Sequence, residues 1–528
     1  MNSPVKVGKK LINILLIGLS IIFTIVGIWN IRNYLLTKKN ENLLPSEQVC
    51  DHCNILLFDI DILRADELPC YGYSQNTTPN ICNFAKNSVV FKDNYSTHFW
   101  TLPSMFSTVT SLYPVFSRVR TTVDVLPPTT FTLAESLKKQ GYRTVFVGQD
   151  GNAYALINNA NGGLRYYDYV TTDEIEKVIT DLSKSKQPWF IHYYRGDLHL
   201  PYLLEDGQKP ISNITAPVNF PITRTEFDLQ LSEYLKKNKK TIFTPKALIE
   251  YKSSIFNTNV GSTELAQLFY GLTYDINDSG NYLYDSWILT EKCYLNYIDV
   301  KKASDLAYVR MMYDSVLYNF DARNNLFLKE LDSGNLSKNT ITIIMSDHGE
   351  SFGEHGTFSH DNNHYSELFY TPLIIHAPNL SPQQVNRTTS NMDIFPTILN
   401  LIGQKIPEGL QGNSLVPYFS NADYDPGVFS YSENYGGIIL QNKEWLYYLP
   451  SHISDISGSE LYDRTIDPLE KTNVYLRHPE LTRLLFNKAS LFKSYDNTLE
   501  NIGITNPDYS SVKLDPEKVE RLKKEGYF

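Results

Sequence analysis

The sequence predicts an α/β protein: a mostly parallel central sheet flanked by helices, a small C-terminal α+β subdomain, and one N-terminal transmembrane helix. Three observations predict it. Short apolar runs alternate with helix-like segments from residue 54 onward, that rhythm changes after about residue 425, and residues 11–29 form an apolar stretch long enough to span a bilayer. The corresponding division is 1–50 for anchor and linker, 51–425 for the main domain with an insertion at 203–300, and 426–528 for the subdomain.

The anchor reads LINILLIGLSIIFTIVGIW, with Asn13, Ser20 and Thr24 as its polar side chains. A helix of that length rises about 28 Å, close to the hydrocarbon thickness. The run is longer than a usual signal-peptide core and no A-x-A-like site follows it, so a retained single-pass anchor is expected. Lys6, Lys9 and Lys10 before it are matched by Arg32, Lys38 and Lys39 after it, and the positive-inside count gives no orientation. Beyond it, Cys50-Asp-His-Cys53 lacks the second Cys or His pair of a zinc ribbon and reads as a local disulfide or two inert thiols.

The runs ILLFDI (55–60), TVFVG (144–148), WFIHYY (189–194), TITIIM (340–345) and PLIIHA (372–377) are short and bounded by polar, Gly or Pro residues, as central strands are. Helix-like stretches separate them, beginning at Pro79, Phe131, Leu306 and Met392, the third running unbroken to Leu331. Strand-helix repetition of this kind produces a sheet covered on both faces, with ligand sites at the carboxyl ends of strands. Residues 203–300, rich in Tyr, Asn, Lys and Thr, interrupt the rhythm and read as a lid or substrate-binding excursion. Antiparallel strands are expected in GVFSYSENYGGIILQNKEWLYYLP, and a terminal helix in DPEKVERLKKEGYF.

Composition narrows the function classes. The chain has 528 residues, 42% hydrophobic and 20% charged, with 48 Lys+Arg against 58 Asp+Glu for a net charge of -10. Such a chain buries a substantial core, and its acidic balance without a long basic block excludes nucleic acid as the main partner.

Three polar clusters follow predicted strands. In ILLFDIDILRADELPCYGY, Asp61 can hold a hard cation while Arg64 presents a fork to an anion; a capped turn with an ion pair would read the same way. In IIMSDHGESFGEHG, Asp347 and His348 offer an oxygen and a nitrogen to a divalent metal, in a loop that Gly349, Gly353 and Gly356 let turn tightly. His355 is a ligand or a hydrogen-bonding residue. In HFWTLPSMFSTVTSLYP, Pro103 suits a first helical turn and puts Thr101 at a helix N-terminus, as an N-cap or, beside a metal, as a nucleophile.

Together these segments resemble the sulfatase branch of the alkaline-phosphatase superfamily over about 54–205 and 306–475. The family's order is kept through NILLFDIDILRADELPCYGY, TTPNICNFAKNSVVFKDNYS, TLPSM, FIHYYRGDLHLPY, SDHGESFGEHG, HDNNHYSELFYTPLII and ELYDRTIDPLEKTNVY. The resemblance implies an alkaline-phosphatase/sulfatase-like fold and a metal site of Asp61, Thr101, Asp347 and His348. It implies one divalent ion, Zn or Mn favoured by the His ligand with Ca and Mg open. His199 and His360 would contact the anionic head of the substrate or protonate the leaving oxygen, and Arg64 and Asn80 are placed at the substrate or in structural roles.

One departure matters. Sulfatases resemble one another in a Cys-x-Pro-Ser-Arg motif whose Cys or Ser is oxidised to formylglycine, whereas this chain has Thr101-Leu102-Pro103-Ser104-Met105. A Thr cannot give that aldehyde. A Thr nucleophile is instead similar to the membrane-anchored phosphoethanolamine and lipoteichoic-acid glycerophosphate transferases. The expectation is therefore a membrane-anchored, extracytoplasmic enzyme in which Thr101 attacks a phosphate ester, lipid- or glycan-linked, with hydrolysis of a sulfuric ester or a phosphodiester as the alternative and a non-catalytic binding protein as the outside one.

Overall fold

In the computed structural model the described residues are 50, 52–120, 124–148, 167–171, 174–221, 223–238, 275–276, 282–283, 291, 293–360, 363–420 and 429–501. The predicted span at 11–29 and the predicted helix at 515–528 lie outside them. Among the described residues no helix is long and apolar enough to cross a membrane.

The central sheet is built from β1 (Asn54–Ile60), β2 (Val89–Tyr95), β3 (Arg143–Gly148), β4 (Tyr169–Thr171), β5 (Trp189–Arg195), β6 (Thr340–Met345), β7 (Leu373–His376) and β8 (Gln383–Ser390). Its spatial order is β8-β2-β7-β6-β1-β5-β3-β4. The strand β7 runs antiparallel to both neighbours, and the other paired strands are parallel. The predicted strands thus form, and the sheet is mostly parallel.

The apolar runs are continuous because both faces are buried. Along β1, Leu56, Phe58 and Ile60 enter one core and Ile55 and Leu57 the other. The same alternation puts Ile344 in the first core and Ile341, Ile343 and Met345 in the second. A period-2 chain between two helical layers leaves no polar face. On the second face lies α2 (Thr101–Thr110), through Leu102, Phe106 and Val109, and on the first lies α6 (Ala303–Arg323), as helices are numbered with α1 (Pro79–Ala85), α3 (Leu133–Lys139), α4 (Ile175–Leu182) and α5 (Arg224–Asn238) between.

The single long helix expected from Leu306 is instead two, α6 and α7 (Asn325–Asp332), broken at Asn324. Asn324 has φ -86° and ψ 4°, and its Nδ2 donates to the Phe320 carbonyl at 2.8 Å. Its short amide competes with the backbone for a helical acceptor, which ends the first helix and starts the second. The strand β8 carries too little apolar sequence to be read as a strand; it forms because β2 offers it a partner edge.

Strands β9 (Ser430–Asn434), β10 (Gly437–Gln441), β11 (Trp445–Pro450) and β12 (Glu460–Asp463) make a separate antiparallel sheet. One face packs Ile439, Leu446, Tyr448 and Tyr462 against Phe99, Trp100 and Phe369. The other packs Tyr431 and Tyr447 against Leu485 and Ala489 of the terminal helix Pro479–Asn501. Within the predicted insertion, Phe220, Phe227 and Tyr294 are buried in the first core.

Cys50 pairs with Cys53, and Cys70 pairs with Cys82, tying the turn at Pro69–Tyr71 to α1. The second bridge closes a segment of sequence separation 12. Loop-closure entropy makes it worth about 3 kcal/mol. The Cys70→Ser/Cys82→Ser double variant should therefore unfold at lower urea than the parent under non-reducing conditions, and an unchanged midpoint would refute the bridge.

Candidate active site

The site lies at the carboxyl ends of β1 and β6, which are adjacent and parallel. Asp61 follows β1 directly, and its N–H donates to the Arg195 carbonyl at 2.9 Å. The next residue, Ile62, has φ 52°, a left-handed conformation that a β-branched residue rarely takes. Tyr313 Oη donates to the Ile62 carbonyl at 2.9 Å, and the Leu63 N–H donates to Ser346 Oγ at 2.9 Å. These bonds hold a strained turn and aim the Asp61 carboxylate toward the end of β6.

Asp347 and His348 follow β6. Ligand atoms of Asp61, Asp347 and His348 lie within 4.8 Å of one another, and all three residues are buried. His348 Nε2 is 3.5 Å from Asp61 Oδ1 and 3.7 Å from Asp347 Oδ2. His348 Nδ1 is 2.8 Å from the Gly349 carbonyl, which can only accept, so Nδ1 carries the proton and Nε2 presents its lone pair. Among the described residues, Asp347 Oδ2 is buried with no hydrogen-bond partner. Two buried carboxylates and a bare imidazole nitrogen, with an oxygen left over, fit a divalent cation.

Thr101 is the first residue of α2, and its Oγ1 is 3.2 Å from His348 Nε2. The helix is pinned to the metal-type loop by Ser104, whose Oγ donates to the Asp347 carbonyl at 2.5 Å. Thr101 thus stands at a positive helix end beside the acidic cluster. Gly349 is required for a close approach: a Cβ there would lie 2.0 Å from the Glu367 carbonyl oxygen. Gly353, at φ 97°, turns the chain back toward His360.

The His360 ring lies 5.0 Å from that of His348 and 5.0 Å from that of His199, between centroids. Burial, and then His360, push the His199 imidazole down to about 3. The predicted residues Asp61, Thr101, His199, Asp347, His348 and His360 are therefore brought together from five chain segments.

Arg64 and Asn80 are committed elsewhere. Arg64 forks onto Asp66 at 2.9 and 2.7 Å and donates to Glu354 and to the Glu350 carbonyl, each at 2.9 Å. The Asn80 backbone and side chain both donate to Asp321, at 2.8 and 2.7 Å. Each braces one segment against another, the structural role left open for it. His355 hydrogen-bonds Glu367 and the Leu469 carbonyl rather than joining the cluster.

Sequence reasoning assigned no role to several residues around the cluster. Tyr194 Oη donates to Asp61 Oδ2 at 2.5 Å, and His192 Nε2 lies 3.4 Å from Asp59 Oδ2. Burial, and then the charge of Asp347, push the Asp59 carboxyl well above its usual range. His98, just before Thr101, is held well below the usual imidazole range by burial, then by His348 and Arg120. The available signal was alternation: His192 and Tyr194 share a face of β5, and parallel pairing sets Asp59 opposite Tyr194.

A hydroxyl at a helix N-terminus, set over buried metal-type ligands at the ends of parallel strands, is an arrangement suited to metal-assisted ester chemistry. Residues 54–404 match the Sulfatase family, and the chain belongs to it. Residues 353–488 also match the N-sulphoglucosamine sulphohydrolase C-terminal family. Arylsulfatase K of Mus musculus is 27% identical over 206 residues, 36% of this chain and 37% of that protein, so the chain spans little over a third of that relative's length. The N-acetylglucosamine-6-O-sulfatase of Bacteroides thetaiotaomicron is 23% identical over 520 residues, covering 86% of this chain and 89% of that one. Among solved structures, the phosphonate monoester hydrolase of Agrobacterium radiobacter superposes with a TM-score of 0.58 at 17% identity, over 88% of this chain and 98% of that chain. A structure described as a complex with its substrate D-glucosamine-2-N,6-O-disulfate superposes at 0.57 and 17% identity, over 84% and 98%. These likenesses show the fold.

Two outcomes follow from the geometry. Asp347→Ala and His348→Ala should each abolish the rise in melting temperature that Mn or Zn gives the parent protein, and a retained metal-dependent shift would remove those residues from the ligand set. Burial also pushes the His192 imidazole from 6.5 down to about 3. Its stabilising contribution is complete above pH 6.5 and is lost as pH falls toward 3, because the unfolded chain then binds a proton that the folded chain refuses. His192→Gln should flatten the fall of the urea midpoint over the part of that window where the parent still folds; an identical slope would count against a buried neutral His192.

Proposed function

We propose that this protein hydrolyses a sulfate ester on a glycan-type substrate, with Thr101 in the nucleophile position. The observation that carries this reading is Thr101 Oγ1 lying 3.2 Å from His348 Nε2 in a Sulfatase-family chain. Sulfatase relatives, one of them matched over 86% of this chain, favour sulfate-ester hydrolysis over the phosphate-ester transfer expected from the Thr alone.

Asp61, Asp347 and His348 would hold a divalent cation, which supplies Lewis-acid stabilisation of anionic oxygen and lowers the pKa of a hydroxyl beside it. Thr101 Oγ1 attacks sulfur as its proton passes through water to His360 Nε2, the bond from sulfur to the alcohol oxygen breaks, and that oxygen takes the proton from His360. His199, depressed to about 3 and neutral near neutrality, serves as a hydrogen-bonding partner. Water then attacks the sulfur of the sulfo-Thr, releasing sulfate and restoring the hydroxyl. Two disulfides suit an oxidising compartment, and we place the domain outside the cytoplasmic membrane on the anchor at 11–29. Membrane-impermeant labelling of intact cells checks that placement, and a wholly protected domain would reverse it.

A second reading, attack on a phosphate or phosphonate ester, is favoured by Thr101 itself, which cannot become formylglycine. Thr101→Ala should lower kcat/KM for an aryl sulfate by about 10³-fold or more while Thr101→Ser retains turnover. Parent-like activity in the Ala variant would end the assignment, and a parent that cleaves aryl phosphonates or phosphodiesters but no sulfate would select the second reading.

A further inference from the structure

The Glu350 side chain is fully buried in the loop that follows β6, two residues beyond His348. Its Oε1 lies 3.2 Å from His360 Nδ1, and its Oε2 accepts a hydrogen bond from Tyr202 Oη at 2.7 Å. The Glu350 backbone is fixed as well: its N–H donates to the Glu367 carbonyl at 3.0 Å, and its carbonyl accepts from Arg64 Nη1 at 2.9 Å. Tyr202 is itself buried, its ring edge-on to Phe352 at 5.5 Å and to Tyr313 at 5.9 Å. Both oxygens of the carboxylate are thus engaged, one by His360 of the cluster and one by Tyr202.

A carboxylate oxygen accepts, so the proton between Glu350 and His360 sits on Nδ1. Nε2 is then the ring nitrogen that takes up a proton and passes it to a substrate oxygen, and the ring stands between His199 and His348. The Ser359 hydroxyl, 3.3 Å from the same Nδ1, borders that nitrogen without supplying a fixed acceptor. Ser359, the residue just before His360, has φ 59°, a backbone that an L residue rarely takes. A buried carboxylate that sets the tautomer and orientation of an imidazole is a recurring device for general acid-base work.

We propose that Glu350, itself oriented by Tyr202, is a positioning residue that fixes the tautomer and orientation of His360 for proton delivery to the leaving alcohol. This rests on the sulfate-ester reading above. The proposal has a signature that loss of packing lacks, because proton delivery matters most for a poor leaving group.

The test compares p-nitrophenyl sulfate, whose phenolate leaves with little help, with a hexose 6-sulfate, whose alkoxide needs a proton. Glu350→Gln should lower kcat on the hexose sulfate by roughly 10²-fold and on the aryl sulfate by far less, with KM unchanged on both. Adding Glu350→Gln to His360→Asn should cost nothing further. Tyr202→Phe should shift the ratio of aryl to hexose turnover in the same direction, and it decides the matter if Glu350→Gln does not fold. Equal losses on both substrates, a change confined to KM, or losses that add to those of His360→Asn would overturn the proposal. Imidazole ¹⁵N shifts, with His360 assigned through His360→Asn, supply a readout independent of turnover. The parent should show the Nδ1–H form at His360 and Glu350→Gln a mixture, and the same tautomer in both would overturn the positioning role. Parent-like turnover in Thr101→Ala, or a parent inactive on both sulfates, would instead sink the underlying functional reading and leave the ¹⁵N result to judge Glu350.

Discussion

Asp61 and Asp347 bury their carboxylates beside each other at the ends of adjacent strands, with ligand atoms within 4.8 Å. Like charges held that close, away from water, are costly unless positive charge is supplied or one of them is neutralised. Much of the surrounding structure answers that constraint. His348 turns its unprotonated Nε2 into the gap because its Nδ1–H donates to the Gly349 carbonyl. Asp59, the third acid nearby, is pushed toward its neutral form by burial and by Asp347.

The arrangement would relax if the segments carrying it could part, and buried hydrogen bonds prevent that. Ser346 Oγ accepts from the Leu63 N–H and donates to the His348 carbonyl at 2.7 Å, crossing from β1's turn to β6's. Ser104 joins the Thr101 helix to Asp347, and Asn391 Nδ2 donates to the Ser346 carbonyl at 2.8 Å. Arg64 links the first turn to the loop that carries Glu350 and Glu354. A residue that reads from its sequence neighbourhood as an anion fork is in this fold a brace, because Asp66 and Glu354 reach its guanidinium first.

The legible and illegible parts divide along a physical line. Five of the eight central strands were readable as apolar runs because burial on both faces demands them, and β8 was not, because an edge partner rather than its own composition makes it a strand. The break at Asn324 follows from one side chain competing for the Phe320 carbonyl, a local choice that helical periodicity averages away. Among the residues that the fold brings together at the candidate site, those within compact motifs were legible, Asp61, Thr101, Asp347 and His348 among them. Glu350 sits in the same motif, yet nothing local says that it meets His360, ten residues on, and Tyr202, nearly 150 residues earlier.

What the sequence determined by itself was the α/β rhythm and the residue types at strand ends, since period-2 burial and the chemistry of Asp, His and Thr are carried by the chain locally. The Thr in place of an oxidisable Cys or Ser is likewise a fact of sequence, and no fold can alter it. Tertiary structure alone decided which nitrogen of His348 faces Thr101, which acids are paired, and which basic residues are braces. Those outcomes depend on parallel register between β1, β5 and β6 and on the strained turn at Ile62, which join atoms far apart along the chain.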